Sequence, residues 1–572
     1  MAGKTTAEKL ATIQKGYTLE GATIELGAAI VDGELHKDAP VRLPLAMMNR
    51  HGLVAGATGT GKTVTLHMMA EQLSAAGVPV FLADIKGDLS GLATGAAGSE
   101  KLRTRTESIG QPWQGKAFPV EFLALGGDGN GVPVRATVTS FGPILLSRIM
   151  ELNDTQESSL QLVFYFADKN GLELIDLKDL RAVISFLTSP EGKDQLKELG
   201  GLSKATAGVI LRELVNLEAQ GLEKFFGEPE FDTAELLRTA PDGRGVVTCL
   251  ELPTLQTKPL LFSTFLMWLL ADLFEDLPEA GDLDKPKLVF FLDEAHLLFN
   301  GASKAFLEAI TTTVRLIRSK GVGIFFVTQT PKDVPADVLG QLANRVQHAL
   351  RAFTPEDAKA LKATVSTFPV SDYDLEETLT SAGIGEAVIT VMNDRGAPTP
   401  VAHTRLRAPE SVMGPSDEAL VRSTVASSAL LPKYGTAVDN PSAYEKLTGK
   451  AAAPTGPAAT GMPAPDSGIP AGGYDLDAEA RRIEEEILGR SSSRPAPRRD
   501  TPARDAGYDA PRAPRRQQPE SQPAGGMMDD LGVVLGGALG GGLKSMARSV
   551  GTQLGRELLR GVFGTSSRRR RR

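Results

Sequence analysis

The chain has 572 residues, 41% of them hydrophobic and 5% aromatic, with 62 Lys plus Arg against 70 Asp plus Glu for a net charge of −8. That length holds two or three domains and at least one large core. The acidic balance excludes a wholly basic nucleic-acid coat protein, and the single cysteine, Cys249, excludes a disulfide framework or a multi-cysteine zinc site.

A reducing, cytoplasmic setting fits that cysteine usage, and the six scattered histidines show no metal-ligand spacing. The opening MAGKTTAEKLATIQKGY carries no apolar signal stretch. Residues 1–48 read as a small β-rich lead-in with alternating segments at 22–26 and 41–45. Apolar, β-rich runs then predict strands at 51–55, 78–83, 245–250, 287–292, 322–328 and 386–392. Helical periodicity between them gives the signature of a parallel sheet covered on both faces. The core falls in two parts, 49–140 and 241–410, around a helical insertion at 141–240 whose periodicity is densest at 141–226. The run LLFSTFLMWLL at 260–270 is about half the length of a membrane span and reads as a buried core helix. An extension at 411–450 follows.

Composition changes near residue 450. Residues 451–525 hold 12 prolines among Ala, Gly, Ser and short charge clusters, a mixture that cannot offset its ordering entropy, so a disordered linker is expected. Residues 526–572 read as a Gly-rich, amphipathic basic helix ending in five arginines. Residues 451–572 carry +5 and residues 1–450 carry −13. The tail suits an anionic membrane surface, a phosphate backbone, or docking on its own assembly.

The strongest chemical signal is Gly56-Ala57-Thr58-Gly59-Thr60-Gly61-Lys62-Thr63, followed by Val64. It matches Gly-x-x-x-x-Gly-Lys-Ser/Thr, follows an apolar strand and opens a helix, as a phosphate-binding loop requires. Glycines turn backbone N–H groups inward, and the helix N-terminus adds partial positive charge. Lys62 can reach the β- and γ-phosphates of ATP, and Thr63 can ligate Mg2+. Downstream, LVFFL ends in Asp293-Glu294, placing two carboxylates at the rim where ligands of open α/β sheets sit. Asp293 is the expected second Mg2+ contact and Glu294 the group that polarises water. The strand GIFFVT ends at Gln329, whose neutral amide can sense the γ-phosphate or the water. The turn Asp84-Ile85-Lys86-Gly87-Asp88 faces the same rim, where support of the site and a solvated turn fit it equally. His296 reads as a local hydrogen-bonding residue.

GATGTGKT, DIKGD, FFLDEAHLLF, VRLIRSKGVGIFFVTQ and DVLGQLANRVQHALRAFTP together resemble the HerA–FtsK group of P-loop ATPases, specifically the bacterial, YjgR-type HerA-like subfamily. The likeness runs over about residues 47–408, with a further echo in LLPKYG. It implies a RecA-like P-loop core, a homo-hexameric ring, ATP hydrolysis and DNA as the translocated partner. It also implies that Arg318, just before the Gly-Val of the sensor strand, acts as a finger on the next subunit's γ-phosphate, with Arg315 as the fallback. Residues 1–48 are too few for the complete β-barrel that precedes the P-loop in HerA. Two further functions stay open: a ring ATPase that moves protein, and a nucleotide-switched scaffold without DNA activity. Lys178, Arg181, Lys204, Arg212 and Lys332 are the basic candidates for a pore.

Overall fold

Twelve strands join edge to edge among the described residues, which are 4–126, 129–197, 200–252, 258–300, 302 and 304–449 of a computed structural model. The expected linker and tail, 451–525 and 526–572, lie outside them. The strands are β1 (Thr23–Val31), β2 (Glu34–Pro44), β3 (Gly52–Ala55), β4 (Val80–Asp84), β5 (Val120–Leu125), β6 (Val132–Val134), β7 (Val247–Glu251), β8 (Leu288–Leu292), β9 (Val322–Thr328), β10 (Asn344–His348), β11 (Glu386–Thr390) and β12 (Ala402–Leu406). Their order is β2-β1-β12-β11-β10-β3-β9-β8-β4-β7-β5-β6. From β10 to β6 every pair is parallel. Beyond β10, every pair out to β2 is antiparallel.

Central strands are apolar throughout because both faces are covered. All of LVFFL in β8 and VGIFFVT in β9 is buried. Alternate side chains serve opposite cores: Phe290 and Phe326 belong to one, Phe291 and Phe325 to the other. The first core packs under helices Val138–Ile149, Asp154–Lys169, Leu177–Thr188, Lys204–Ala219 and Pro259–Asp276. Pro259–Asp276 is apolar on nearly every side because it is buried, Trp268 completely. Among the described residues, no helix is long and apolar enough to cross a membrane. The second core takes helix Lys62–Ala75 and the β1–β2 hairpin.

The structure corrects several sequence expectations. The 1–48 segment, expected as a small β-rich lead-in, contributes to the main sheet. Its two strands turn through Asp32-Gly33, both at positive φ, and β1 pairs with β12 to extend the main sheet. β5 and β6, which were not expected as strands, lie between helix Glu100–Ser108 and the helices of the insertion. The strand expected at 78–83 starts only after Pro79, which has no N–H to give a neighbour, and runs to Asp84. β10 and β12 were not expected as strands. Their sequences, NRVQH and AHTRL, carry too many polar residues to read as apolar runs. In β10 Asn344, Gln347 and His348 are buried: Asn344 Nδ2 donates to the carbonyls of Met47 and His51, and Gln347 Nε2 to those of Ala55 and His348.

Register brings one rim together. Ala55 pairs with both Thr328 and Gln347, Leu292 with both Phe326 and Ala83, and Asp84 with Glu251. The segments after β3, β9, β8 and β4 therefore share an edge, with β9 between the P-loop strand and the strand carrying Asp293.

Candidate active site

The loop after β3 is sewn to its neighbours before any ligand is considered. The Gly56 N–H donates to the Thr328 carbonyl at 3.2 Å and the Ala57 N–H to the Ala349 carbonyl at 2.9 Å. The Thr60 hydroxyl donates to the Ala57 carbonyl at 2.7 Å, and the Gly385 N–H to the Thr60 carbonyl at 3.0 Å. Glycine is required here by space and by conformation. A Cβ on Gly56 would lie 2.4 Å from the Cβ of His348, and Gly61 adopts φ 115°. Thr58 and Gly59 are exposed, and Thr63 and Val64 half-buried. Helix Lys62–Ala75 opens at Gly61 with no side-chain cap, so its first-turn N–H groups are not capped from their own chain end.

Lys62 Nζ donates to the carbonyls of Gly56 at 2.7 Å and Ala57 at 3.3 Å. Burial lowers its pKa, opposed by the charges of Glu294 and Asp293. Beneath the loop, His348 Nε2 lies 2.9 Å from the Thr65 hydroxyl. Burial, reinforced by the Lys62 charge, pushes this histidine down to about 4, so it is neutral at physiological pH.

At the end of β8, Asp293 is buried, accepts the Glu294 N–H at 2.8 Å and makes no ion pair among the described residues. Burial pushes it up to about 6. Glu294 sits at φ 45°, and the Ala295 N–H ties the turn to the Val327 carbonyl at 2.9 Å. One Glu294 carboxylate oxygen is held by Lys86 Nζ, and the other lies 3.3 Å from His296 Nδ1 without a hydrogen bond. Burial acts to raise Glu294, but Lys86, His296 and Lys62 outweigh it, and its pKa falls. The DIKGD turn therefore belongs to the site. Buried Asp84 accepts the N–H groups of Gly87 at 2.7 Å and Leu89 at 3.0 Å, which aims Lys86 at Glu294. Gln329 follows β9 and is exposed, while Asp333 braces the turn by accepting from the Thr328 hydroxyl and the Thr330 N–H.

Lys62, Thr63, Asp293, Glu294 and Gln329 thus all follow strand ends of one rim, or open the helix there. Arg318 does not join them. It is exposed and precedes β9, so the strand's seven residues separate it from the rim, about 20 Å at 3.3 Å per residue. Arg50, which no motif singled out, is its neighbour. Burial and the like charge of Arg50 hold Arg318 below the usual arginine value. Neither arginine makes an ion pair among the described residues, and the Asn49 side chain donates to the Arg318 carbonyl at 3.5 Å. His348 and Lys86 as the partner of Glu294 were likewise not assigned from sequence, because their partners are distant in the chain, and Asp333 was not assigned although its partners Thr328 and Thr330 are local. Two pore candidates are already neutralised: Lys178 by Asp439 and Asp176, and Arg181 by Glu218. Among the described residues, no group of three His, Cys, Asp or Glu side chains forms a metal cluster.

A family model described as helicase HerA-like C-terminal matches residues 30–507 of the chain. The protein belongs to this HerA-like family. It is 21% identical over 358 residues to the DNA double-strand break repair helicase HerA of Saccharolobus solfataricus, covering 62% of this chain and 64% of that one. The same-named protein of Sulfurisphaera tokodaii is 23% identical over 392 residues, covering 67% and 70%. This HerA-like chain therefore spans less than two thirds of the first relative's length. Among solved structures, the plasmid coupling protein TrwB with a non-hydrolysable ATP analogue aligns at 14% identity with a TM-score of 0.45, covering 73% of this chain and 96% of that one.

Proposed function

We propose that the protein is an ATP hydrolase working as a homo-hexameric ring, with each site shared between neighbouring subunits, and that the ring moves along double-stranded DNA. The observation that carries this reading is the separation within one chain. The phosphate loop, both carboxylates and Gln329 stand at one end of the parallel strands, while Arg318 and Arg50 stand at the other, beyond reach of their own site. A subunit packed against the next can supply that edge to its neighbour's nucleotide. The guanidinium fork and permanent charge then match the spread of transition-state oxygens.

The loop residues Gly56 to Thr63, with Val64 behind them, would hold the phosphates of ATP, and Lys62 would exchange the loop's own carbonyls for phosphate oxygens. The donor set fits Mg2+: Asp293 is a buried carboxylate with no cation paired to it, and Thr63 opens the helix beside the loop. Bound there, the cation would neutralise charge on the phosphoryl oxygens. Glu294 orients and polarises the attacking water, and Gln329 contacts the water or the γ-phosphate through a neutral amide.

DNA as the polymer rests on the names of the relatives and on exposed basic groups. Lys204, Arg212 and Lys332 are exposed and make no ion pair among the described residues. The test is the ATPase rate with double-stranded DNA, single-stranded DNA or no polymer. Stimulation by double-stranded DNA that fades between about 50 and 200 mM salt is expected. A rate indifferent to every nucleic acid would remove the DNA part and favour protein movement or a nucleotide-switched scaffold.

A further inference from the structure

We infer that Lys86 is a positioning residue for hydrolysis: its ammonium holds one carboxylate oxygen of Glu294 so that the other is presented to the reacting water. The inference rests on the reading of Glu294 as the water-polarising group.

Glu294 needs such a holder. Its backbone occupies the left-handed region at φ 45°, a conformation that persists only where surroundings impose it. The backbone is pinned by Asp293 Oδ1 and the Val327 carbonyl, but the side chain has a single hydrogen-bonding partner among the described residues, Lys86 Nζ on Oε1. Oε2 is buried and makes no hydrogen bond. An asymmetric clamp of this kind leaves one oxygen occupied and one available. The other charged groups facing the carboxylate are Lys62 from the P-loop helix, Asp293 from β8 and His296 after it, with Asp88 beside Lys86. None of them makes a hydrogen bond to it, although His296 Nδ1 lies 3.3 Å from Oε2. Lys86 itself is aimed by the sequence around it. Asp84 ties the turn through two backbone N–H groups, and Gly87 supplies φ 74°. The Lys86 side chain is about half exposed, at 51%, and the Glu294 side chain only 10% exposed, so the pair spans from solvent into the site. Phosphate binding is already provided for by Lys62, so the effect of Lys86 belongs in turnover rather than in affinity.

The experiment is steady-state ATPase kinetics of the full chain with Lys86→Met, Lys86→Arg and Glu294→Gln. Lys86→Met should lower kcat about 10- to 100-fold, the scale of a misplaced catalytic group, with KM within about threefold of the parent. Lys86→Arg, which keeps a charge able to bond the carboxylate, should recover most of kcat. Added to Glu294→Gln, Lys86→Met should change neither the residual rate nor the affinity for a fluorescent ATP analogue by more than about twofold. A parental kcat in Lys86→Met, a loss confined to KM, or a further loss on top of Glu294→Gln would overturn the inference. A slow Glu294→Gln beside a fast Lys86→Met overturns Lys86 alone, whereas a parental rate in Glu294→Gln removes the reading of Glu294 and the inference with it.

Discussion

The two ends of β9 differ in charge and in completeness. At its C-terminal end, lysines and carboxylates interleave: Lys86 is bonded to Glu294, and Lys62 is bonded to the loop carbonyls while feeling both acids. At its N-terminal end stand Arg50 and Arg318 with no carboxylate paired to either among the described residues, beside buried His51. At the first end Lys86 and Glu294 pair within the chain, while Asp293 keeps no paired cation among the described residues. The second carries positive charge held side by side, which a chain tolerates where an anion from elsewhere can meet it. Under the proposed function the sheet would carry two halves of one chemistry facing opposite ways, which a closed ring would unite.

If that contrast is right, the largest effects separate binding from turnover. Lys62→Ala should weaken nucleotide binding and reduce turnover by on the order of 100-fold or more, because it removes the phosphate-facing charge. Glu294→Gln should leave nucleotide bound while turnover falls by about 10²- to 10⁴-fold. Equilibrium binding of a fluorescent ATP analogue, read beside the rate, distinguishes them, and a Glu294→Gln protein at the parental rate would remove this residue from the chemistry.

A smaller effect is expected at the opposite edge. Arg50→Ala should lower turnover about 10-fold, the worth of one charge-assisted hydrogen bond, with nucleotide affinity of isolated subunits unchanged. An affinity loss in isolated subunits would place Arg50 in its own chain's site and break the contrast.

The smallest effect concerns stability. Burial pushes His51 down to about 4, and its Nδ1 accepts the Ile324 N–H at 3.1 Å. Below its unfolded value of 6.5 the unfolded chain takes up a proton that the folded chain refuses, so this residue's contribution is present above pH 6.5 and is lost as pH falls toward 4. Denaturant unfolding at pH 7 and pH 5 should show the parent losing up to about 2 kcal/mol more than His51→Asn. Asparagine tolerates the residue's φ of 58°. Equal losses in the two proteins would show that His51 does not sense acid.

What was legible in the sequence was local. The phosphate loop announces itself because its chemistry lies in eight consecutive residues between a strand and a helix, and Asp293-Glu294 because the acids end an unbroken apolar run. What stayed hidden depends on partners far along the chain. The DIKGD turn could be site or solvent until Lys86 met Glu294, 208 positions on. β10 hid because Asn344, Gln347 and His348 are polar yet buried, bonded or packed against residues near 47–65. The alternating segments of the lead-in were legible, but nothing local reveals that β1 will pair with β12, whose Leu406 meets Gly27. The choice of Arg318 rests on family likeness. Its distance from its own chain's site needed the strand order.

The central claim, a site completed in trans, is tested most directly by mixing two inactive proteins. Arg318→Ala, lacking an effect on the order of 10³-fold, and Glu294→Gln should each be nearly inactive alone. Mixed rings would contain interfaces that join an intact Glu294 to an intact Arg318, so the ATPase rate of the mixture should rise above that of either protein. No rise in mixtures shown to co-assemble, or full activity in Arg318→Ala alone, would contradict the shared site.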